Sequence, residues 1–355
     1  MPRRLSWSAA SWAILLCLPL LLHRQRGVSM MASALPPPAE AQSRPLAVVT
    51  GANTGIGFHA AGQLSARGYH VVLACRSQER AEAALRELRQ LYGAEISAEI
   101  RPLDLSSFAS VRAFAASLTG QHRSLSLLLC NAGLNSASAP KAPDAQLTGD
   151  GVDMLYQTNF LSHFLLVLLL LPLLRAAHGR VVSVSSVIHR SAEPELFGLV
   201  RSVREPYVSF YGLSKLAQIS MTQELHRRFG KGVAFHCVNP GGVASDIWRH
   251  YPVWQQRLFG GVLLSPEASA RTVVQACVSE EGAAPAPPRY WNGYCFASRL
   301  SIFEFWSPLP AGERLIASEP SEDALDAALA QKLWTESVAA LDAAGVDLAE
   351  CEVGV

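Results

Sequence analysis

The sequence predicts an α/β fold, a single domain built on a doubly wound parallel β-sheet. Three observations lead there. From residue 45 onward, short β-rich runs alternate with longer amphipathic stretches. The β-rich runs are continuously apolar, as expected of strands covered on both faces. Three glycines, Gly51, Gly55 and Gly57, separate the first such run from the first amphipathic stretch, where a strand has to turn sharply into a helix.

The elements follow in order. Leu46–Thr50 reads as a strand and Gly55–Arg67 as a helix. His70–Ala74 and Ser77–Tyr92 repeat the pair, as do Ala98–Pro102 and Ser107–Leu118. Leu125–Cys130 is followed by a long helix over Gly151–Arg175, and Arg180–Ser185 by a helix over Phe210–Phe229. Val233–Val238 is a sixth strand, Pro266–Val278 a helix, and Arg289–Trp291 a seventh strand. Strands separated by helices pair in parallel through right-handed crossovers. Phe164–Leu174 is strongly apolar and interrupted by Pro172; it is too short to span a bilayer and reads as core packing.

Composition narrows the function classes. The chain has 355 residues, with 30 Lys and Arg against 29 Asp and Glu, a formal charge of +1. Half of the residues are hydrophobic and 17% charged, which excludes a disordered chain. The near-zero charge offers no electrostatic case for nucleic-acid binding. Seven widely spaced cysteines without a C-x-x-C argue against a disulfide framework and a structural zinc site. The ten histidines form no metal-binding pair, so no metal is expected. Lysine is rare: Lys141, Lys215, Lys231 and Lys332 are the full set.

Charge is unevenly distributed. Residues 1–44 hold five Arg and one Glu, a net of +4, which leaves −3 for the remainder. Arg3 and Arg4 precede an apolar run from Leu5 to Leu22; His23, Arg24 and Arg26 follow it. Eighteen residues at about 1.5 Å each give about 27 Å, just short of a hydrocarbon core. Two readings stay open: an uncleaved membrane anchor over residues 5–22, placed at the endoplasmic reticulum, or a cleaved segment targeting the secretory pathway, mitochondrion or plastid. Pro36-Pro37-Pro38 reads as an extended linker. The expected organisation is therefore a lead over 1–44, a domain over 45–345 and a tail over 346–355.

The first loop, Thr50-Gly51-Ala52-Asn53-Thr54-Gly55-Ile56-Gly57, sits between a strand and a helix. Its glycines let backbone approach a pyrophosphate, and the helix N-terminus supplies N–H donors. A dinucleotide is the implied ligand. Strands that end beside the adenine ribose of NAD commonly carry an acid for the 2′-hydroxyl. Here Leu73-Ala74-Cys75 runs into Arg76, whose guanidinium matches a 2′-phosphate, so NADP(H) is favoured. Asp104, after the third strand, is placed to receive the adenine amino group; an N-cap at Ser106–Ser107 is the alternative.

These residues, with Asn131-Ala132-Gly133, Asn159, Ser185-Ser186, Tyr211-x-x-x-Lys215 and Asn239-Pro240-Gly241, resemble the short-chain dehydrogenase/reductase superfamily over residues 45–345. The retinol dehydrogenase-like branch looks closest, through Ala74-Cys75-Arg76, Asp104-Leu105-Ser106-Ser107, Ser214-Lys215-Leu216-Ala217 and a late Leu333-Trp334. Light-dependent protochlorophyllide reductases look similar in places, as at Cys130-Asn131-Ala132 and Arg289-Tyr290-Trp291. They carry a longer insert before the Tyr and lack the Ser, which counts against that reading; a plastid enzyme of that kind remains an alternative. A catalytically silent nucleotide-binding protein is another.

The resemblance implies a Rossmann fold and an oxidoreductase that interconverts a carbonyl and an alcohol. It assigns Tyr211, Lys215, Ser186 and Asn159 to catalysis. It assigns Gly51, Asn53, Thr54, Gly55, Ile56, Gly57, Arg76, Asp104, Leu105, Asn131, Ala132, Gly133, Pro240, Gly241 and Ser245 to the cofactor, with Tyr211 and Lys215 shared. Tyr211 and Lys215 are four apart, on one face of a helix. A phenol of pKa near 10 needs help at neutral pH; an ammonium beside it favours phenolate, and two units correspond to about 2.7 kcal/mol. Ser186 would hold the substrate oxygen, Asn159 a relay water and Lys215 the nicotinamide ribose. Phe160 and Ser162 stand where the branch commonly has His and Gly, and Ser245 where Thr is usual. The aromatic stretch Trp248, Tyr251, Trp254, Leu258 and Phe259 falls where the family has its lid, which suits a bulky apolar substrate such as a retinoid, steroid or other lipid. A homodimer through the helices at 151–175 and 210–229 is the oligomer the resemblance suggests.

Overall fold

The structure, a computed structural model, describes residues 44–135, 146–201, 210–243, 263–292 and 315–348. The N-terminal lead up to residue 43, Ser245 and the aromatic stretch at 248–259 lie outside them. In chain order the elements are β1 (Leu46–Thr50), α1 (Gly55–Ser65), β2 (His70–Cys75), α2 (Gln78–Tyr92), β3 (Ala98–Pro102), α3 (Phe108–Gln121) and β4 (Leu127–Cys130). They continue with α4 (Met154–Ala176), β5 (Arg180–Val184), α5 (Phe210–Phe229), β6 (Ala234–Asn239), α6 (Pro266–Val278), β7 (Tyr290–Asn292), β8 (Ile316–Ser318) and α7 (Ala327–Ala343).

The strands form one sheet in the order β3-β2-β1-β4-β5-β6-β7-β8. Pairing is parallel through β7. β8 joins β7 antiparallel, with Trp291 opposite Ala317. Sequence periodicity did not predict β8, nor the closing helix α7: a three-residue edge strand carries no alternation to read. The chain order reverses between β1 and β4, so their carboxyl ends diverge and leave a crevice there.

Alternate strand residues feed two cores. Val48, Val72, Leu128 and Val181 pack with α3, α4, α5 and α7. Val49, Leu73, Leu129 and Val182 pack with α1, α2 and α6 on the opposite face. Side chains that alternate across a strand and are apolar on both sides produce continuous apolar runs. Serine hydroxyls set several helix starts: Ser77 accepts from Arg80 N, Ser107 from Ser110 N and Ser265 from Ala268 N. Ser77 and Ser107 are therefore caps and not first helical residues.

Helix α4 is long and apolar enough to cross a membrane, yet 78% of its apolar window is buried in the fold. It is the central core helix, as Phe164–Leu174 suggested. It contains one π-turn, Gln157–Leu161. Outside α4 and α5 lies α7, whose Trp334 meets Phe164 edge-on at 5.2 Å and Phe229 at 6.2 Å. The Arg228 guanidinium stands 3.9 Å over the same indole. At these residues the surfaces of α4 and α5 are covered by α7. Val346 and Leu348 beyond α7 are also buried.

Candidate active site

The site grows from the carboxyl ends of β1 and β4. The Thr50 hydroxyl, at the end of β1, accepts from the backbone N–H groups of Asn131 (2.9 Å) and Ala132 (3.0 Å). Asn131 Nδ2 donates back to the Thr50 carbonyl at 2.9 Å. These bonds lock the Gly51–Gly57 loop to the Asn131–Gly133 loop across the crevice. Gly51 has φ of 65°, in the left-handed region that favours glycine. Gly57 is required by space: a Cβ there would land on Asn131 Nδ2 and 2.5 Å from the Gly51 carbonyl oxygen.

The cradle fits a dinucleotide. The first turn of α1 holds no acidic residue, and Thr54 at its start makes no side-chain capping bond to it. Its N–H groups and dipole thus point toward the loop, as a pyrophosphate needs. Cys75, at the end of β2, is buried, and the Ala52 and Asn53 N–H groups bond to its sulfur. Burial outweighs those bonds and pushes the thiol up to about 11, so it remains protonated and structural. Arg76 follows it and is exposed. Asp104 Oδ1 accepts from Ser106 N (2.9 Å) and Ser106 Oγ (2.7 Å), a local turn; the cap of α3 is Ser107. The Leu105 carbonyl accepts from Ser162 Oγ of α4 at 2.7 Å. Ser162 thus braces the loop after β3, while Phe160 packs against Tyr156 and Phe164.

Asn159 lies in the π-turn of α4. Its Oδ1 accepts from Leu134 N at 2.7 Å, and its Nδ2 donates to the Leu134 carbonyl (2.9 Å) and to Ser214 Oγ (3.1 Å). The side chain therefore clamps the β4 loop to α5. Ser186 follows β5 with an extended backbone and opens a 3-10 turn, Val187–Ser191. Ser185 points the other way: its hydroxyl donates to the Lys215 carbonyl at 2.9 Å. Tyr211 sits half-buried in the first turn of α5, and Lys215 Nζ lies 5.7 Å from its ring centroid. Lys215 is 5% exposed and donates to the Val184 carbonyl at 2.7 Å and Gln218 Oε1 at 3.3 Å. Burial brings its ammonium down to about 8. A Cβ on Gly133 would sit 3.1 Å from Asn159 Oδ1 and 3.9 Å from Lys215 Nζ, so three motif segments meet at that glycine. Pro240 and Gly241 leave β6 at the same edge; the Pro240 carbonyl accepts from Ser269 Oγ at 2.9 Å.

Sequence reasoning missed the histidines behind these groups. His163 Nδ1 is 3.0 Å from the Asn159 carbonyl, which can only accept, so Nδ1 carries the proton. Its Nε2 then accepts from the Thr50 hydroxyl at 2.9 Å. His189 donates from Nδ1 to the Ser186 carbonyl at 2.7 Å and accepts at Nε2 from Ser321 N at 3.0 Å. The available signal was a His four past Asn159, at the start of the apolar run of the helix, and a His three past Ser186. His163, His189 and His236 are all pushed from 6.5 to about 4 by burial. Their unfolded-state pKa is the higher one, so the unfolded chain binds more protons between those values. This stabilisation is complete above about 6.5 and is lost as pH falls through that window toward about 4. The thermal unfolding midpoint should drop across it, and a flat profile would count against neutral buried imidazoles.

Among the described residues, no three His, Cys, Asp or Glu side chains converge as a metal site. Comparison with known proteins accounts for the arrangement. The short chain dehydrogenase family model matches residues 45–256. The chain belongs to the short-chain dehydrogenase/reductase family. It is 39% identical over 295 residues to bovine (Bos taurus) dehydrogenase/reductase SDR family member 13, covering 78% of this chain and 74% of that one. It is 38% identical over 237 residues to human retinol dehydrogenase 11, covering 66% and 72%. A solved Mycobacterium paratuberculosis protein of uncharacterised function superimposes with a TM-score of 0.61 at 29% identity, over 87% of this chain and 98% of that one. These relatives place it in the retinol dehydrogenase-like branch, and its fold is the family's Rossmann-type sheet.

Proposed function

We propose that this family member is an NADP(H)-dependent oxidoreductase interconverting a carbonyl and an alcohol on a bulky apolar substrate, with Tyr211 as the acid/base group. The observation that carries the reading is the Tyr211–Lys215 pair on one face of α5, its ammonium buried at the crevice edge beside Gly133 and Asn159. In reduction, Tyr211 Oη gives its proton to the carbonyl oxygen, and the Ser186 hydroxyl holds that oxygen. The Lys215 charge stabilises the phenolate left behind, and oxidation runs the same steps in reverse. Bound NADP(H) supplies or accepts the hydride at the substrate carbon. Asn159 acts through the loop it clamps, which keeps Gly133 and Lys215 in register.

The likeness to retinol dehydrogenase 11 supports a retinoid among the bulky apolar substrates considered. A screen of the full chain with NADPH against retinaldehyde, steroid ketones and fatty aldehydes tests it; inertness across that panel would remove the reading. Arg76 supports the 2′-phosphate preference. Arg76→Asp is expected to lower NADPH affinity by about 10–100-fold, since a charge-assisted bidentate contact of about 1.5–3 kcal/mol is exchanged for repulsion. NADH affinity should change little, and an unaltered NADPH/NADH ratio overturns the assignment. Residues 5–22 support tethering at a membrane, that of the endoplasmic reticulum. Removal of residues 1–44 should move the protein from the membrane pellet to the supernatant, and retention in the pellet would refute the tether.

A further inference from the structure

The π-turn in α4 loosens the regular backbone ladder at Asn159, a feature common where helices serve a site. The Asn159 carbonyl there receives two buried side-chain donors. One is His163 Nδ1, one turn further along α4, at 3.0 Å. The other is Gln218 Nε2, reaching across from α5, at 2.9 Å. The opposite end of the same amide, Gln218 Oε1, accepts from Lys215 Nζ at 3.3 Å.

The two ends of Gln218 are not interchangeable. A carbonyl only accepts, so nitrogen must face Asn159; an ammonium only donates, so oxygen must face Lys215. The amide is oriented from both sides, and at 3% exposure no solvent replaces either bond. The line of bonds continues past Asn159. His163 Nε2 accepts from Thr50 Oγ1, which in turn holds the Asn131 and Ala132 amides. Lys215 is thereby tied, through Gln218, the Asn159 carbonyl, His163 and Thr50, to both cofactor loops.

We propose that Gln218 is a positioning residue, whose amide bridges the Asn159 carbonyl and the Lys215 ammonium and so fixes where Lys215 stands relative to Tyr211. The inference rests on the roles of Tyr211 and Lys215 proposed above. A lysine has a long flexible stem and three rotatable donors. Val184 alone fixes one of them; Gln218 supplies the second bearing. The titratable groups facing this pair are His163 from α4, Cys237 from β6 and Tyr211 on the same helix. Burial keeps His163 neutral and pushes the Cys237 thiol up to about 12. Lys215 is thus the cation of the cluster.

Lysine scarcity makes the test direct. With four lysines in the full chain, the side-chain nitrogens of 15N-lysine-labelled protein can be titrated by NMR, and Lys215 assigned by the signal lost in Lys215→Met. Gln218→Leu removes an acceptor and should lower the Lys215 pKa. Gln218→Glu keeps the shape, places a carboxylate against the ammonium and should raise it. Shifts of about one unit or more in opposite directions are expected. In active enzyme, the limb of the kcat–pH profile should move in the same two directions, with substrate KM within about threefold of wild type. A Lys215 titration unmoved in folded Gln218→Leu overturns the proposal. If that variant does not fold, an unmoved titration in Gln218→Glu overturns it equally. The NMR readout needs no substrate, so inertness toward every carbonyl would sink the functional reading and leave this one to be judged alone.

Discussion

Tyr211→Phe is expected to lower kcat by about 10²–10⁴-fold, the range contributed by a positioned general acid or base. NADPH affinity and the thermal midpoint should remain near wild type. The substitution deletes one oxygen and keeps the ring, which sits half-buried in the first turn of α5 with the Lys215 ammonium 5.7 Å from its centre. The proton for the substrate oxygen then has no donor in place, while the cradle formed by Thr50, Gly57 and Asn131 is untouched. The measurement is NADPH oxidation with retinaldehyde and steroid ketones, with cofactor affinity followed separately by fluorescence. Wild-type turnover in the variant would exclude Tyr211 from proton transfer. A loss of affinity instead of turnover would mean that the hydroxyl serves the cofactor.

Gly57→Ala should act on the opposite half of the site. A methyl group at this position meets Asn131 Nδ2 and the Gly51 carbonyl oxygen at once. Neither partner can yield cheaply. Asn131 Nδ2 is already bonded to the Thr50 carbonyl at 2.9 Å, and Gly51 N donates to the Ala74 carbonyl at 2.9 Å. The first turn of α1 must therefore shift away from the loop. The N–H contacts of that turn to a pyrophosphate, about 1.5–3 kcal/mol each, would be weakened, so NADPH affinity is expected to fall by roughly 10–100-fold. Isothermal titration of the two proteins checks it. Equal affinities would show that α1 does not set the cofactor position. Because the clash is local, Tyr211→Phe and Gly57→Ala should separate cleanly into turnover and binding defects.

Much of this was legible in the residues themselves. Helices α5 and α6 begin and end where the sequence puts them, at Phe210–Phe229 and Pro266–Val278. Their apolar spacing and, for α6, Ser265 before Pro266 are local signals. The glycine loop and the Tyr211–Lys215 pair were readable for the same reason, since each lies within one turn or one helix face. β8 and α7 were not readable. β8 exists because β7 offers it an edge, and α7 because α4 and α5 offer Trp334 a place between Phe164 and Arg228.

By itself the sequence determined the seven parallel strands, their winding and the residue types at their carboxyl edge. Those follow from period, turn chemistry and spacing, which act over a few residues. Tertiary structure alone decided how the site groups are held. His163, His189 and Gln218 look like isolated polar residues in the chain, and their roles depend on partners 113, 132 and 59 positions away. A buried polar atom must find a partner wherever the fold brings one. Which carbonyl or hydroxyl that is depends on the packing of α4 against α5 and β1, and no local pattern encodes it.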